Sequence, residues 1–295
     1  MLRGQMLAQQ SCGQCFGTST RTVLAAFRSA RSRGFRAGPS NTSASVAALD
    51  PAKLGKCWLV GAGPGPADYL TMKAVRLLQT ADVVVYDDLG SQDALGFVSP
   101  ATELVYVGKR GGRESIKQPQ IDELLVARCA EGRNVVRLKG GCPSVFSRLA
   151  SEVAALRAAD IPYELVPGVS SALAAPLFAG FPLTHVTLSP SFTVLSGHDP
   201  DSIDWGALAR LPTLVLLMGG RRLGDIVARL QDTGWPTDTP VVVIRAAGLS
   251  QQQVWHSRLD RVETDTANVE SLSPCVVVIG RVAEFTDGLR MLSAK

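Results

Sequence analysis

The residues Val60-Gly61-Ala62-Gly63-Pro64-Gly65 directly follow the apolar run Cys57-Trp58-Leu59-Val60 and lead into Tyr69-Leu70-Thr71-Met72-Lys73-Ala74. Strand, tight turn and helix in that order are where an open parallel sheet holds a ligand. Ligands in such sheets sit beyond the carboxyl ends of the strands, and glycine lets the backbone approach them closely. The pattern is not the dinucleotide fingerprint. G-x-G-x-x-G opens directly into a helix whose amides face a pyrophosphate, whereas here Pro64 removes one amide and Pro66 a second. Capture of a cofactor without a pyrophosphate fits better. Taken alone, the turn is equally compatible with a structural role or another nucleotide site.

The elements that must position this turn are legible as short β-branched runs alternating with helical patterns after Lys53, which argues for a parallel α/β sheet. Strands are predicted at 57–60, 83–86, 104–107, 135–138 and 163–166, with helical spacing of apolar residues at 121–125 and 152–159. Near Gly180-Phe181-Pro182-Leu183-Thr184-His185 a Pro/Gly-containing connection precedes a second series at 192–195, 214–218, 241–244, 254–257 and 275–279. The fold class expected is α/β, with two α/β domains at 53–185 and 186–290 and a ligand cleft between them.

The chain's 295 residues and 46% hydrophobic content can supply sizeable cores. Residues 1–49 hold six arginines, no lysine and no acidic residue. Removing those six from the 30 Lys and Arg leaves 24 against 26 Asp and Glu, a balance of −2. The net positive charge therefore belongs to the N-terminal segment, and the remainder offers no electrostatic case for nucleic-acid binding. An Arg- and Ser-rich, acid-free start is the composition of an organelle transit peptide, expected over residues 1–50, with a disordered tail as the alternative. No apolar run approaches the ~18 residues that span a membrane. The six cysteines are scattered, and Cys12-Gly13-Gln14-Cys15 has no second pair, so free thiols in a reducing compartment are expected.

Several turns, taken in order, resemble those of the tetrapyrrole methylases. They are Gly61 to Gly65, Tyr86-Asp87, Val107-Gly108-Lys109-Arg110, Val136-Arg137-Leu138-Lys139-Gly140-Gly141, Val166-Pro167-Gly168-Val169-Ser170-Ser171-Ala172, Pro182-Leu183-Thr184-His185 and Ser196-Gly197-His198. The similarity covers about residues 55–285 and is greatest to the members that act on uroporphyrinogen III. It implies a homodimeric enzyme that binds S-adenosylmethionine between two α/β domains, without a metal. Such an enzyme methylates two pyrrole rings of uroporphyrinogen III in succession, giving precorrin-2 for sirohaem or corrinoids. The resemblance places cofactor contacts on Pro64, Gly140, Gly141, Cys142, Val145, Ser170, Ser171, Met218 and Ala247, a proton acceptor on Asp87 and a proton donor on Lys109. It also suggests a plastid destination, with a mitochondrion as the alternative.

Methyl transfer from a sulfonium needs an electron-rich carbon held in line with the S–methyl bond, so positioning and water exclusion supply much of the rate. The attacked ring becomes cationic and must lose a proton, which a carboxylate at a strand end such as Asp87 could accept; the structural alternative is an N-cap of the next helix. A polycarboxylate substrate needs cations, and Lys109, Arg110 and Arg113 cluster after the third strand while Arg221-Arg222 follow Met218-Gly219. His185 and His198 fall in matching motifs and are expected on the substrate side of the cleft, although a lone histidine is more often structural.

The chain departs from the family where Gly-Gly-Asp-Pro is usual. It reads Gly140-Gly141-Cys142-Pro143, so a contact needing a carboxylate at 142 is lost while backbone contacts of Gly140 and Gly141 could survive. Asp88 stands where arginine is usual, Pro66-Ala67 where an acid is common, and Ala247 to Ser250 replaces a Thr- and Pro-containing segment. Three readings stay open: an active uroporphyrinogen-III methyltransferase, a same-fold methyltransferase acting on another tetrapyrrole or on ribosomal RNA, and a catalytically impaired homologue serving as a binding or regulatory subunit.

Overall fold

A computed structural model describes residues 53–88, 92–108 and 116–285. The first five strands, β1 (Cys57–Gly61), β2 (Val83–Tyr86), β3 (Glu103–Tyr106), β4 (Val135–Lys139) and β5 (Tyr163–Val166), form one sheet in the order β3-β2-β4-β1-β5. Every pairing in it is parallel. The central strands β1, β2 and β4 are buried on both faces, as expected in a parallel sheet, while the edge strands β3 and β5 each leave a leucine exposed. Cys57, Leu59, Val83, Val85 and Val135 pack against Ile121, Leu125 and Cys129 of helix α2 (Gln118–Ala130) and Leu156 of helix α3 (Leu149–Ala158). Val60, Val84, Val136 and Leu138 point the other way, onto Ala74 and Leu78 of helix α1 (Met72–Thr80). The expected glycine turn is therefore present, but α1 does not open directly from it. A short 3-10 turn at Ala67–Tyr69 intervenes, and the Thr71 hydroxyl caps the helix by accepting from Ala74 N–H at 3.1 Å.

The register puts the carboxyl ends of the central strands level: Gly61 lies opposite Lys139, and Val60 opposite Val166. Loops after β1, β4 and β5 consequently leave from one edge. That edge is the candidate ligand face of the sheet.

The second sheet contains β6 (Thr193–Ser196), β7 (Leu214–Leu217), β8 (Pro240–Arg245), β9 (Gln253–Arg258) and β10 (Cys275–Ile279) in the order β6-β7-β10-β8-β9. All ten predicted strands are present, but the parallel expectation fails here. Only β6 and β7 run parallel, while β10 is antiparallel to both β7 and β8, and β8 to β9. Short apolar runs carry no direction, so periodicity could not distinguish the two arrangements.

Helix α4 (Ser171–Phe178) shares a core with the second sheet, its Ala172 and Ala175 meeting Phe181, Leu183, Val215, Val242 and Val276. Packing thus groups α4 with the second sheet, whereas the sequence reading placed it with the first. The connection expected near 180–185 is a packed turn: Phe181 is fully buried, and His185 and Ser189 exchange backbone hydrogen bonds of 2.9 and 3.1 Å.

Candidate active site

Three glycine loops close on one another at the carboxyl edge of the first sheet. Gly63 N–H donates to the Gly141 carbonyl at 3.2 Å and Gly141 N–H to the Gly63 carbonyl at 2.8 Å. A Cβ on Gly168 would stand 2.3 Å from the Gly141 carbonyl oxygen, and one on Gly61 2.6 Å from the same atom. No side chain fits there. The structure therefore brings Pro64, Gly140, Gly141 and Cys142 together with the turn that leads through Gly168 to Ser170 and Ser171. Both backbone groups of Gly141 bond to Gly63, which fixes the loop that carries Gly140 and Cys142. Ser170 is the N-cap of α4, its hydroxyl accepting from Ala172 N–H at 3.3 Å.

Cys142 lies in this junction, half buried, with its Sγ 3.0 Å from the Ser144 hydroxyl. Burial alone would raise its thiol, but hydrogen bonds from the Ser144 side chain and from the backbones of Gly168 and Ser144 outweigh it and leave the pKa below the ordinary value. Val145 N–H closes the turn by donating to the Cys142 carbonyl at 3.1 Å.

The remaining two expected cofactor residues stand on the second sheet. Met218 directly follows β7 with φ 60°, and Ala247 lies after β8, next to Ala246, whose φ is 50°. Phe146 and Arg148, in the loop after Cys142, also have positive φ, at 46° and 60°. Such conformations are costly for residues with a side chain and collect where loops are held for a purpose. The Ala247 loop reaches the first sheet through Leu249, whose Cδ2 lies 2.8 Å from the place of a Cβ on Gly65. Beside it the Tyr69 and Phe178 rings meet at a tilt of 50° with centroids 4.9 Å apart, and Gln252 ties the loop down by accepting from Gly248 N–H at 2.7 Å and donating to the Phe178 carbonyl at 3.2 Å. Pro64 and Ala247 thus flank one seam.

Asp87 follows β2. Its carboxylate accepts from Arg137 Nη2 at 2.9 Å, and the 3-10 turn at Asp93–Phe97 has no side-chain cap, so Asp87 is an ion-pair partner there and not a cap for that turn. Arg137 in turn donates from Nε to Glu152 at 3.1 Å, and Lys139 Nζ reaches both Glu152 oxygens at 2.6 and 2.7 Å. Glu152 is wholly buried and both cations nearly so. Burial, reinforced by the neighbouring Arg137 charge, lowers the Lys139 pKa from its ordinary value, with Glu152 opposing. Sequence reasoning assigned Arg137, Lys139 and Glu152 no role. The available signal was an arginine and a lysine inside an apolar central strand, where each needs a buried partner.

Lys109, Arg110 and Arg113 lie outside the described residues. Asp88 sits beside Gly108, with Oδ2 3.0 Å from where a Cβ would be. His185 Nδ1 is 3.3 Å from each of the Thr187 and Leu188 N–H groups and accepts them, so the ring helps to form this turn. Its ring also packs on Phe285 at 4.7 Å. His198 is exposed after β6, next to Gly197, whose Cβ position is 2.6 Å from Gly219 Cα and so adjoins the loop carrying Met218. Arg222 is paired with Asp225 on the surface. A depression of about 610 Å³ between Asp238, His256, Arg258, Arg261 and Glu284 contains none of these residues; it is an open surface hollow, and the strand-end geometry is the better guide to chemistry.

Fold and site together define a two-sheet α/β protein with its candidate ligand site at the strand ends. The sequence profile of the Tetrapyrrole (Corrin/Porphyrin) Methylases matches residues 56–263, and the chain belongs to that family. It is 48% identical to the uroporphyrinogen-III C-methyltransferase of Synechococcus elongatus over 231 residues, covering 78% of this chain and 95% of that one. The corresponding enzyme of Methanocaldococcus jannaschii is 40% identical over 239 residues, covering 79% and 98%. Among solved structures, uroporphyrin-III C-methyltransferase from Thermus thermophilus complexed with S-adenosylhomocysteine superposes with a TM-score of 0.68 at 39% identity, covering 78% of this chain and 99% of the other.

Proposed function

We propose that this chain is an S-adenosylmethionine-dependent uroporphyrinogen-III C-methyltransferase that forms precorrin-2. The observation that carries the reading is the meeting of the Gly63, Gly141 and Gly168 loops beside Asp87 at one strand edge, in a chain whose relatives of matching length bear that activity. The residues fit S-adenosylmethionine: three glycine loops packed backbone against backbone hold a close turn at the strand ends, and Pro64 and Pro66 make it unsuited to a pyrophosphate. When bound, the sulfonium supplies an electrophilic methyl group.

The chain's own residues do the rest. Pro64, Cys142, Val145, Ser171, Met218 and Ala247 shape the seam in which the donor and the pyrrole carbon are held in line, and the closeness of Leu249 to Gly65 helps to exclude water. Asp87 Oδ accepts the proton that restores the ring's conjugation, while Arg137 holds that carboxylate in place. Lys109, Arg110 and Arg113 supply cations for the substrate's carboxylates, and His198 is exposed just after β6.

Incubating the full chain with S-adenosylmethionine and uroporphyrinogen III under anaerobic conditions tests this: dipyrrocorphin-like absorbance should grow, and its absence with confirmed cofactor binding favours the impaired-homologue reading that Cys142 motivates. The homodimer is supported by exposed apolar side chains on and near α4, Leu177 at 71% and Val186 at 93% exposure, and light scattering would decide it. Residues 1–50 act in this reading as a plastid transit peptide. A reporter fused to residues 1–55 reads out the destination.

A further inference from the structure

We infer that Glu152 is a positioning residue for proton acceptance by Asp87, acting through Arg137. The inference rests on the assignment of Asp87 proposed above. Glu152 enters from the first turn of α3 and is sealed from solvent, with one oxygen shared between Arg137 Nε and Lys139 Nζ and the other taken by Lys139. Arg137 Nη1 is spent on the carbonyls of Leu138 at 2.8 Å and Val85 at 3.4 Å. The guanidinium plane is thereby fixed at Nε and Nη1 by buried partners, and Nη2 is the donor that extends to the partly exposed Asp87. A planar fork held in this way presents one hydrogen at a defined point and angle.

The four groups form a neutral quartet of two carboxylates and two cations. Stability alone gives little reason to keep it, because apolar residues of similar volume often support a buried site as well as an ion pair does. Its location supplies a reason. Lys139 ends β4 immediately before Gly140, and Arg137 faces Val85 across the sheet, two residues before Asp87. Without the Glu152 charge, Arg137 and Lys139 would be adjacent cations with Asp87 as their nearest carboxylate. Both would turn to it and draw the carboxylate away from the position in which Arg137 Nη2 now holds it.

The test measures kcat, KM for uroporphyrinogen III and the Kd for S-adenosylhomocysteine in the full chain and in Glu152→Gln, Glu152→Asp, Asp87→Asn and the Glu152/Asp87 double variants. Glu152→Gln is expected to lower kcat about 10²-fold, the scale of a small misplacement of a reacting group, with KM and Kd within a few-fold. Glu152→Asp, which keeps the charge on a shorter arm, should fall between, and it carries the same comparison if the Gln variant does not fold. In the Asp87→Asn background neither Glu152 change should reduce turnover further. Full turnover in a folded Glu152 variant, a proportional loss of S-adenosylhomocysteine binding, or losses that multiply with Asp87→Asn would each overturn the inference. Undiminished turnover in Asp87→Asn would instead defeat the assignment of Asp87 and this inference with it, an outcome distinct from an inactive Asp87→Asn beside active Glu152 variants.

Discussion

Replacing Cys142 by aspartate restores the side chain that the family pattern carries at this position, and the structure says where its benefit should appear. The Cys142 sulfur is 3.0 Å from the Ser144 hydroxyl and faces the backbones of Gly168 and Ser144, three protein groups able to donate to it. A carboxylate would accept from the same groups with charge assistance, and one such bond contributes ~1.5–3 kcal/mol. Part is offset by removing the charge from water in a half-buried loop, leaving a net gain of about 1 kcal/mol. Because all three donors belong to the protein, that gain is present before any ligand arrives and largely cancels from a binding equilibrium. Cys142→Asp is therefore expected to raise the melting temperature by about 2–4 °C while changing the Kd for S-adenosylhomocysteine less than about tenfold. Calorimetric titration of both forms, beside thermal denaturation, measures the two quantities. An affinity gain well above tenfold with unchanged stability would refute the reasoning, since it would mean that the carboxylate is satisfied by the ligand and not by the loop.

Asp87→Asn should lower turnover by ~10²–10⁴-fold with cofactor affinity kept within a few-fold, as expected for loss of a general base; loss of S-adenosylhomocysteine binding with unimpaired single-turnover chemistry would reassign it. Gly168→Ala forces a Cβ to 2.3 Å from the Gly141 carbonyl oxygen and should reduce both stability and S-adenosylhomocysteine binding, the former by about 1–3 kcal/mol; a variant as stable as the native chain would show that the three loops can part. Hydrogen bonds from Lys56 and Lys73 lower the Glu164 pKa to about 2, so its stabilising contribution is complete above the ordinary carboxyl range and is lost as the pH falls toward 2. Acid-unfolding curves of the native chain and Glu164→Gln should converge in that window, and a constant gap down to the lowest pH would contradict the pairing.

The positions of the strands were decided by local sequence. Runs such as Val83-Val84-Val85-Tyr86 lose χ1 freedom less in an extended chain than in a helix, and their apolar side chains can be buried on both faces of a sheet. The glycine turn was legible for a similar reason, since Pro64 and Pro66 exclude amide donation whatever surrounds them. Strand order, the antiparallel half of the second sheet and the membership of α4 were not legible, because an apolar run specifies that it will be buried but not against what.

The charged core of the candidate site shows the same division. Asp87 was picked out by its place after a strand, but Arg137 lies 50 residues away from it in sequence and Glu152 a further 15. Glu152 reads in isolation as an ordinary helix charge, and Arg137 signals that it needs a buried partner without saying which. Only the closing of β2 against β4, and of α3 over them, removes water from these groups and makes each one's protonation and orientation depend on the others.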